Sequence, residues 1–236
     1  MRGPVARGKR LHGMVAGRDQ HTLGAQAERL GASGERGAPP VPGRPATLLV
    51  VAYLAVGAVA AGTSLALGHD PIACDGWLGL RGAASWLVSL GLGVLVGAST
   101  IAATPAMVRR WRWARALHLA LRPAVHRAGD GALLAVALAS AVGEELLFRG
   151  LLVPLVGVLV SSAAFGVLHQ ISGRARWGWV GWATLMGLLF GEVFAMTGSL
   201  LGPLLAHAAI NHSNLRFLRD NDPAPTRRPL GGLLRR

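Results

Sequence analysis

The apolar stretch Ala46–Leu67, with the sequence ATLLVVAYLAVGAVAAGTSLAL, decides the fold class of this 236-residue chain. None of its side chains is charged. An α-helix rises about 1.5 Å per residue, so a helix of this length spans roughly 30 Å of hydrocarbon. The charged region before it is too long for the start of a signal peptide. The stretch therefore predicts a transmembrane helix.

Five more apolar stretches follow and have span-like lengths. They are Ala83–Ala103, Gly131–Val153, Leu155–Ile171, Trp177–Thr197 and Ser199–Leu215. Hydrophobic residues make up 52% of the chain and charged residues 15%, whereas soluble domains carry about 25% charged residues. This composition argues against a soluble enzyme and excludes a chain that is disordered throughout. We predict an all-α fold, a polytopic membrane helix bundle of about six transmembrane helices.

Positive loops alternate with neutral or negative ones between the spans, and this pattern predicts the topology. Eight basic and three acidic residues precede the first span, and six arginines with one aspartate occupy 109–130. Loop 68–82 is net negative, while the 172–176 loop and the C-terminal tail are net positive. The positive-inside rule places both termini in the cytoplasm. The net charge of +13 belongs to these flanks, so we expect a lipid bilayer rather than nucleic acid as the basic residues' partner.

Four regions follow from this pattern. We predict a disordered basic cytoplasmic tail over 1–44, two transmembrane helices plus a basic amphipathic segment over 45–130, a helix bundle with polar residues inside its spans over 131–215, and a basic cytoplasmic tail over 216–236. Within 109–122, arginines and His118 recur every three or four residues between tryptophans and leucines. This is typical of a helix lying on an anionic leaflet, and a basic loop that only fixes topology is the alternative.

Ionisable side chains inside the predicted spans are the candidate functional residues, because burying them in a membrane is costly. Glu144 and Glu145 are adjacent, and Arg149 follows Glu145 by four residues. The i, i+4 spacing predicts a pair between Glu145 and Arg149, which could serve packing alone. Glu144 points about 100° away on the helix and is left to act as a general base.

Two further groups supply histidines and an amide. His169 ends the fourth span after a run of small residues, and His207 and Asn211 are spaced i, i+4 on the sixth span. The latter two could simply pack helices. Together with the carboxylates they are sufficient for hydrolysis by an activated water, with donors for the oxyanion. The chain has neither a Gly-x-Ser-x-Gly nor a His-Glu-x-x-His motif, which argues against serine hydrolases and zincins.

These residues resemble the three motifs of the CPBP family, the CAAX-protease and bacteriocin-processing intramembrane proteases, also called the Abi family. The resemblance covers about residues 131–215. Its motifs are Glu144-Glu145-x-x-Phe148-Arg149-Gly150, then Ser161-Ser162-x-x-Phe165-Gly166-x-x-His169, and Thr197-Gly198-Ser199-Leu200 leading to Pro203, His207 and Asn211.

The resemblance implies an intramembrane endopeptidase in a bacterial plasma membrane. Its substrate would be a membrane protein or peptide, either a prenylated CAAX-type protein or a C-terminal sorting or peptide precursor. Glu144 would activate water held with His169, His207 and Asn211 would form the oxyanion hole, and Glu145 and Arg149 would support the site.

No cofactor is favoured by this interpretation. Zinc is the open alternative, on Glu144, His169 and His207. A non-catalytic immunity or scaffold protein of the same fold is the alternative function, and the complete set of polar residues argues against it. Glu192 is an extra acid in the fifth span that could pair with His207 or Arg149 or face a wet cavity.

Overall fold

The computed structural model describes residues 44–223, which lie in one compact unit. Residues 1–43 and 224–236 lie outside the described part, so the predictions for the N-terminal tail and most of the C-terminal tail fall there. Seven α-helices and a π-helical segment make up the described residues. They are α1 Arg44–Ala66, α2 Ala83–Arg110, α3 Arg112–Val125, α4 Asp130–Glu145, the π segment Leu146–Leu152, α5 Val153–Leu168, α6 Arg176–Thr197 and α7 Leu201–Asp220.

The all-α polytopic fold is confirmed. Within residues 44–223 there is no strand, only an isolated bridge between Ala73 and Ser199. Four helical stretches are long and apolar enough to cross a bilayer: Ala46–Ala66, Ala83–Arg110, Asp130–Leu168 and Arg176–Thr197. The third contains two of the six predicted spans. The remaining predicted span is α7, which is long enough but interrupted by polar side chains.

The chain reverses direction inside the long Asp130–Leu168 stretch. Gly157 has φ 79° and ψ 167°, which no helix contains. Ser161 Oγ donates to the carbonyl of Phe148 at 2.8 Å, although 13 residues of straight helix would separate them by about 20 Å. The bounds of the third and fourth predicted spans placed this turn at Pro154, and the turn lies three residues further along the chain. Pro154 is tolerated because it lies in the first turn of α5, where its missing N–H is not needed, whereas glycine readily adopts positive φ.

Small residues let the helices approach closely, as predicted for residues 161–166. A Cβ at Gly187 would lie 3.1 Å from the Cα of Ser162, so α5 and α6 meet almost backbone to backbone. A Cβ at Gly93 on α2 would collide with the backbone of Gly202 on α7. Such contacts are the usual source of helix association in membranes.

Two peripheral segments close the ends of the bundle. The loop between α1 and α2 covers the α6–α7 turn, where Cys74 N–H donates to the Gly198 carbonyl at 3.1 Å. At the other end α3 is anchored by His118, which is buried and places Nε2 2.9 Å from the Asn221 carbonyl. His118 thus faces the protein and not the basic surface of α3 on which its spacing had placed it.

Candidate active site

A buried ion pair forms the floor of the candidate site. Arg149 Nη1 lies 2.9 Å from Glu145 Oε1, and their side chains are 1% and 0% exposed. Arg149 Nη2 also donates to the Gly187 carbonyl of α6 at 3.1 Å. The pairing predicted from the i, i+4 spacing is present in the structure. It ties the π segment to α6 through one guanidinium.

Three phenylalanines surround that guanidinium. The Arg149 Cζ atom lies 4.9 Å from the ring centroid of Phe165, 5.2 Å from that of Phe190 and 6.0 Å from that of Phe148. A cation over aromatic faces is attracted by the ring quadrupoles, most strongly where water is excluded. The rings therefore keep the ion pair dry and fix the guanidinium plane.

His207 connects the two carboxylates. Its Nδ1 lies 2.7 Å from Glu145 Oε1, and its Nε2 lies 3.6 Å from Glu144 Oε2. Phe190 stacks on the imidazole with centroids 5.4 Å apart. The sequence did not reveal the contact with Glu145, because the two residues are 62 positions apart and belong to different helices.

Glu144 and His169 form the wetter side of the cluster. His169 Nε2 lies 3.6 Å from Glu144 Oε2, and the side chains are 24% and 12% exposed. His169 Nδ1 lies 2.8 Å from the Phe165 carbonyl, to which it donates because a carbonyl only accepts. In the neutral imidazole Nε2 is then an acceptor. The site thus has a fully buried floor at Glu145 and a more exposed mouth at Glu144.

At this mouth Glu144 Oε2 faces the Nε2 atoms of His169 and His207 without a direct hydrogen bond to either. Glu144 Oε2 is buried and has no hydrogen-bond partner within the described residues. The 3.6 Å distances to His169 and His207 are too long for direct hydrogen bonds. A buried, unsatisfied carboxylate oxygen costs free energy, and a water molecule with two protons to donate satisfies such a set.

Asn211 is held beside the cluster by a serine that the sequence reasoning missed. Asn211 Nδ2 donates to Ser140 Oγ at 3.0 Å, and Ser140 donates in turn to the Ala137 carbonyl at 3.1 Å. One amide hydrogen of Asn211 remains available. Ser140 precedes Glu144 by four residues, so its place on the same face of α4 was the available signal.

Tyr53 of α1 is a second residue that was missed. It is the chain's one tyrosine, and its hydroxyl lies close enough to Glu144 to interact with that carboxylate. Gly143 allows this approach, since a Cβ there would collide with the Tyr53 carbonyl. A phenol in the middle of the first span, whose other hydroxyls lie near its ends, was the only signal in the sequence.

Glu192 does not join the cluster. It is exposed on α6 and has no ion pair or hydrogen bond within residues 44–223. Neither the pairing with His207 nor that with Arg149 is formed. The reason is the helical rotation of α6, which turns the neighbouring Gly191 and Val193 inward instead.

The π segment shapes the backbone behind Arg149. Side chains from other helices satisfy two of its carbonyls: Ser161 donates to that of Phe148 at 2.8 Å, and Ser64 of α1 donates to that of Gly150 at 2.9 Å. A Cβ at Gly150 would collide with the Pro71 carbonyl. π-helical turns occur frequently at functional sites, and here Arg149 lies within one.

Glu144, His169 and His207 are donor types that zinc accepts, so the zinc alternative depends on their arrangement. Catalytic zinc takes three protein ligands, each about 2.0–2.2 Å from one point, usually in a tetrahedral arrangement. Among the described residues no group of three or more histidine, cysteine or acidic side chains has such an arrangement.

The fold and site together define a multi-spanning helical membrane protein with a buried glutamate, histidine and asparagine cluster. Comparison with family models then gives a match over residues 131–213, to the family described as Rce1-like, type II CAAX prenyl endopeptidase Rce1-like. The matched segment contains every candidate catalytic residue and confirms the resemblance to the CAAX proteases. No curated protein and no solved structure gives a match.

Proposed function

We propose that the protein is an intramembrane endopeptidase that hydrolyses a peptide bond with water activated by Glu144. One observation carries this proposal. The unpartnered Oε2 of Glu144 faces the Nε2 atoms of His169 and His207, each 3.6 Å away. Intramembrane acids arranged only for packing are normally paired. Glu145 Oε2 is also unpartnered within the described residues, but Glu145 Oε1 binds both Arg149 and His207. Glu144, by contrast, has no cation within hydrogen-bond distance among these residues.

The proposed reaction begins with a water molecule between Glu144 and His169. Glu144 takes a proton from the water, and the oxygen attacks the peptide carbonyl to form a tetrahedral intermediate. The free amide hydrogen of Asn211 and the imidazole of His207 stabilise the oxyanion. Collapse breaks the C–N bond, and the proton held by Glu144 passes to the leaving amine. The products are a carboxylic acid and an amine, so atoms and charge balance.

This role for His207 requires its doubly protonated form. Nδ1 donates to Glu145, so Nε2 can donate to an oxyanion only if it also carries a proton. Arg149 then acts indirectly, by orienting the carboxylate that orients His207.

The proposed mechanism uses no metal. The oxyanion donors supply the charge stabilisation that a zinc ion gives in metalloproteases. The donor geometry supports this choice, since the described residues provide no three-ligand group. Activity should therefore survive strong chelators.

The substrate is a membrane protein or peptide that reaches the site from the bilayer. A prenylated CAAX-type protein fits the family description, and a C-terminal sorting or peptide precursor is the alternative. The alternation of positive loops with neutral or negative ones supports cytoplasmic termini. The mouth at Glu144 and His169 then lies towards the cytoplasmic side, since His169 follows α5 directly, near the basic 172–176 loop.

The test compares two acids of the same membrane protein. Glu144→Gln and Glu192→Gln both remove one intramembrane carboxylate, but only Glu144 lies in the cluster. Each purified variant is incubated with a farnesylated CAAX peptide and with a reporter bearing a C-terminal membrane anchor. We expect the wild type and Glu192→Gln to cleave one of them and Glu144→Gln to lose cleavage by 10³-fold or more, on the order of a lost general base with its bound water.

Two results would contradict the proposal. Cleavage by a folded Glu144→Gln variant at the wild-type rate refutes the base assignment. Binding of both reporters by the wild type without any cleavage assigns the chain to the non-catalytic alternative. Thermal unfolding in detergent, measured for all three proteins, separates loss of chemistry from loss of fold.

A further inference from the structure

Three arginines line one pocket at the end of the bundle opposite the α6–α7 turn. Arg110 ends α2, Arg112 begins α3 and Arg174 lies in the loop before α6, and we call these three the basic rim. The other lining residues are Trp111, Trp113 and Ala116, so no carboxylate contributes to the pocket. None of the three arginines forms an ion pair within residues 44–223. Three like charges around one pocket repel each other unless an anion enters.

Aromatic packing holds the basic rim together. Trp113 lies against α6, where a Cβ at Gly178 would collide with its ring. Trp111 stacks on Trp113 with centroids 5.9 Å apart and remains 45% exposed. The segment carrying Arg112 is therefore fixed against the helix that follows Arg174. The backbone beside the pocket is thus held in place, while the three arginine side chains themselves are exposed.

The position of the basic rim relative to the bilayer follows from the spans. One candidate span, Ala83–Arg110, ends at the rim, and another, Arg176–Thr197, begins beside it. The rim therefore lies where the hydrocarbon ends and the lipid headgroups begin. Five of the seven tryptophans are at this end of the chain's spans, at positions 111, 113, 177, 179 and 182. Tryptophan is enriched at that level of the membrane.

We propose that the basic rim binds the phosphate-bearing headgroup of an anionic lipid, with the exposed face of Trp111 against its glycerol and upper acyl region. Arginine forms bidentate hydrogen bonds with phosphate oxygens, and basic pockets between helices at this level are suited to anionic headgroups. A zwitterionic lipid carries the same phosphate, but its ammonium group would lie near three arginines in a pocket that offers no carboxylate to pair with it. The site is separate from the Glu144 cluster and does not depend on proteolysis.

The experiment measures binding of soluble short-chain lipids to the full chain in detergent by native mass spectrometry. The four probes are dioctanoyl phosphatidylglycerol, dioctanoyl phosphatidylcholine, glycerol phosphate and inorganic phosphate. Each arginine near a membrane surface contributes enough for about a fivefold change in affinity. We expect phosphatidylglycerol to bind the wild type at one saturable site, and Arg174→Gln and Arg112→Gln each to weaken it about fivefold.

Arg127→Gln is the matched control. It removes the same charge from the same end of the bundle, from an exposed residue outside the pocket. The proposal requires that this variant binds phosphatidylglycerol like the wild type. Equal losses in Arg127→Gln and Arg174→Gln would show diffuse attraction instead of a site, and binding of phosphatidylcholine as tight as phosphatidylglycerol would remove the anionic specificity. Binding of inorganic phosphate as tight as the lipid would make free phosphate the ligand.

Discussion

Removal of Arg149 should strongly destabilise the protein, although Arg149 lies on the buried floor of the site and away from its mouth at Glu144. Arg149→Met keeps the side-chain volume but leaves the fully buried Glu145 with only His207 as a partner. Breaking a buried pair from one side costs about 3–5 kcal/mol. For a chain of this size each kcal/mol corresponds to about 2–4 °C. We therefore expect the midpoint of thermal unfolding to fall by roughly 6–20 °C.

A double-mutant cycle gives the sharper test. Glu145→Gln combined with Arg149→Met removes both charges. The double variant should therefore lose less unfolding free energy than the two single variants lose together, by about 2 kcal/mol or more. Circular dichroism in detergent measures the unfolding of all four proteins. The exposed Arg127→Met variant is the control and should unfold like the wild type. Losses that add within about 0.5 kcal/mol would refute the energetic coupling of the pair.

Four further outcomes are expected. Tyr53→Phe removes the hydroxyl that contacts Glu144, so kcat should fall severalfold with KM unchanged; an unaltered kcat would show that the contact is passive. Ser140→Ala releases the Asn211 amide and should lower kcat less than Asn211→Ala does, a ranking that steady-state kinetics checks. Activity should persist after dialysis against a strong chelator, and elemental analysis showing one zinc per chain that is lost together with activity would restore a metalloprotease mechanism. Gly150→Ala should reduce stability by about 1–3 kcal/mol through overpacking, and an unchanged unfolding midpoint would contradict the close backbone contact at that residue.

The sequence predicted the features that depend on one helix alone, namely the bounds of the spans and the pairs of residues spaced four apart. The first span begins and ends within two residues of its expected bounds, and the fifth span begins one residue before Trp177. The pair of Glu145 with Arg149 also follows from spacing within one helix. The contacts of His207 with Glu145 and of Tyr53 with Glu144 do not, because they depend on how separate helices are rotated and tilted against each other. A single sequence carries no direct record of those rotations.

The turn between the third and fourth spans illustrates a different limit. Pro154 is the stronger helix breaker in general, yet the reversal is at Gly157. The preceding π segment had no recognisable pattern in the sequence. Because this segment ends at Leu152, Pro154 lies in the first turn of the next helix and does not break it. Tertiary contacts, among them the hydrogen bond from Ser64 to Gly150, outweigh the local preference of proline for a helix end.

The close approach of α1 to α4 has a consequence for protein engineering. A chimera that transplants only residues 131–213 into another membrane scaffold would leave behind Tyr53, Ser64 and Ser89, which donate to or contact the transplanted helices. Gly143 would then face a foreign helix whose side chains cannot come as near as the Tyr53 backbone does. A portable unit of this protein therefore has to include α1 and α2, and a library of exchanged substrate-binding surfaces should keep these two helices with the helices they pack against.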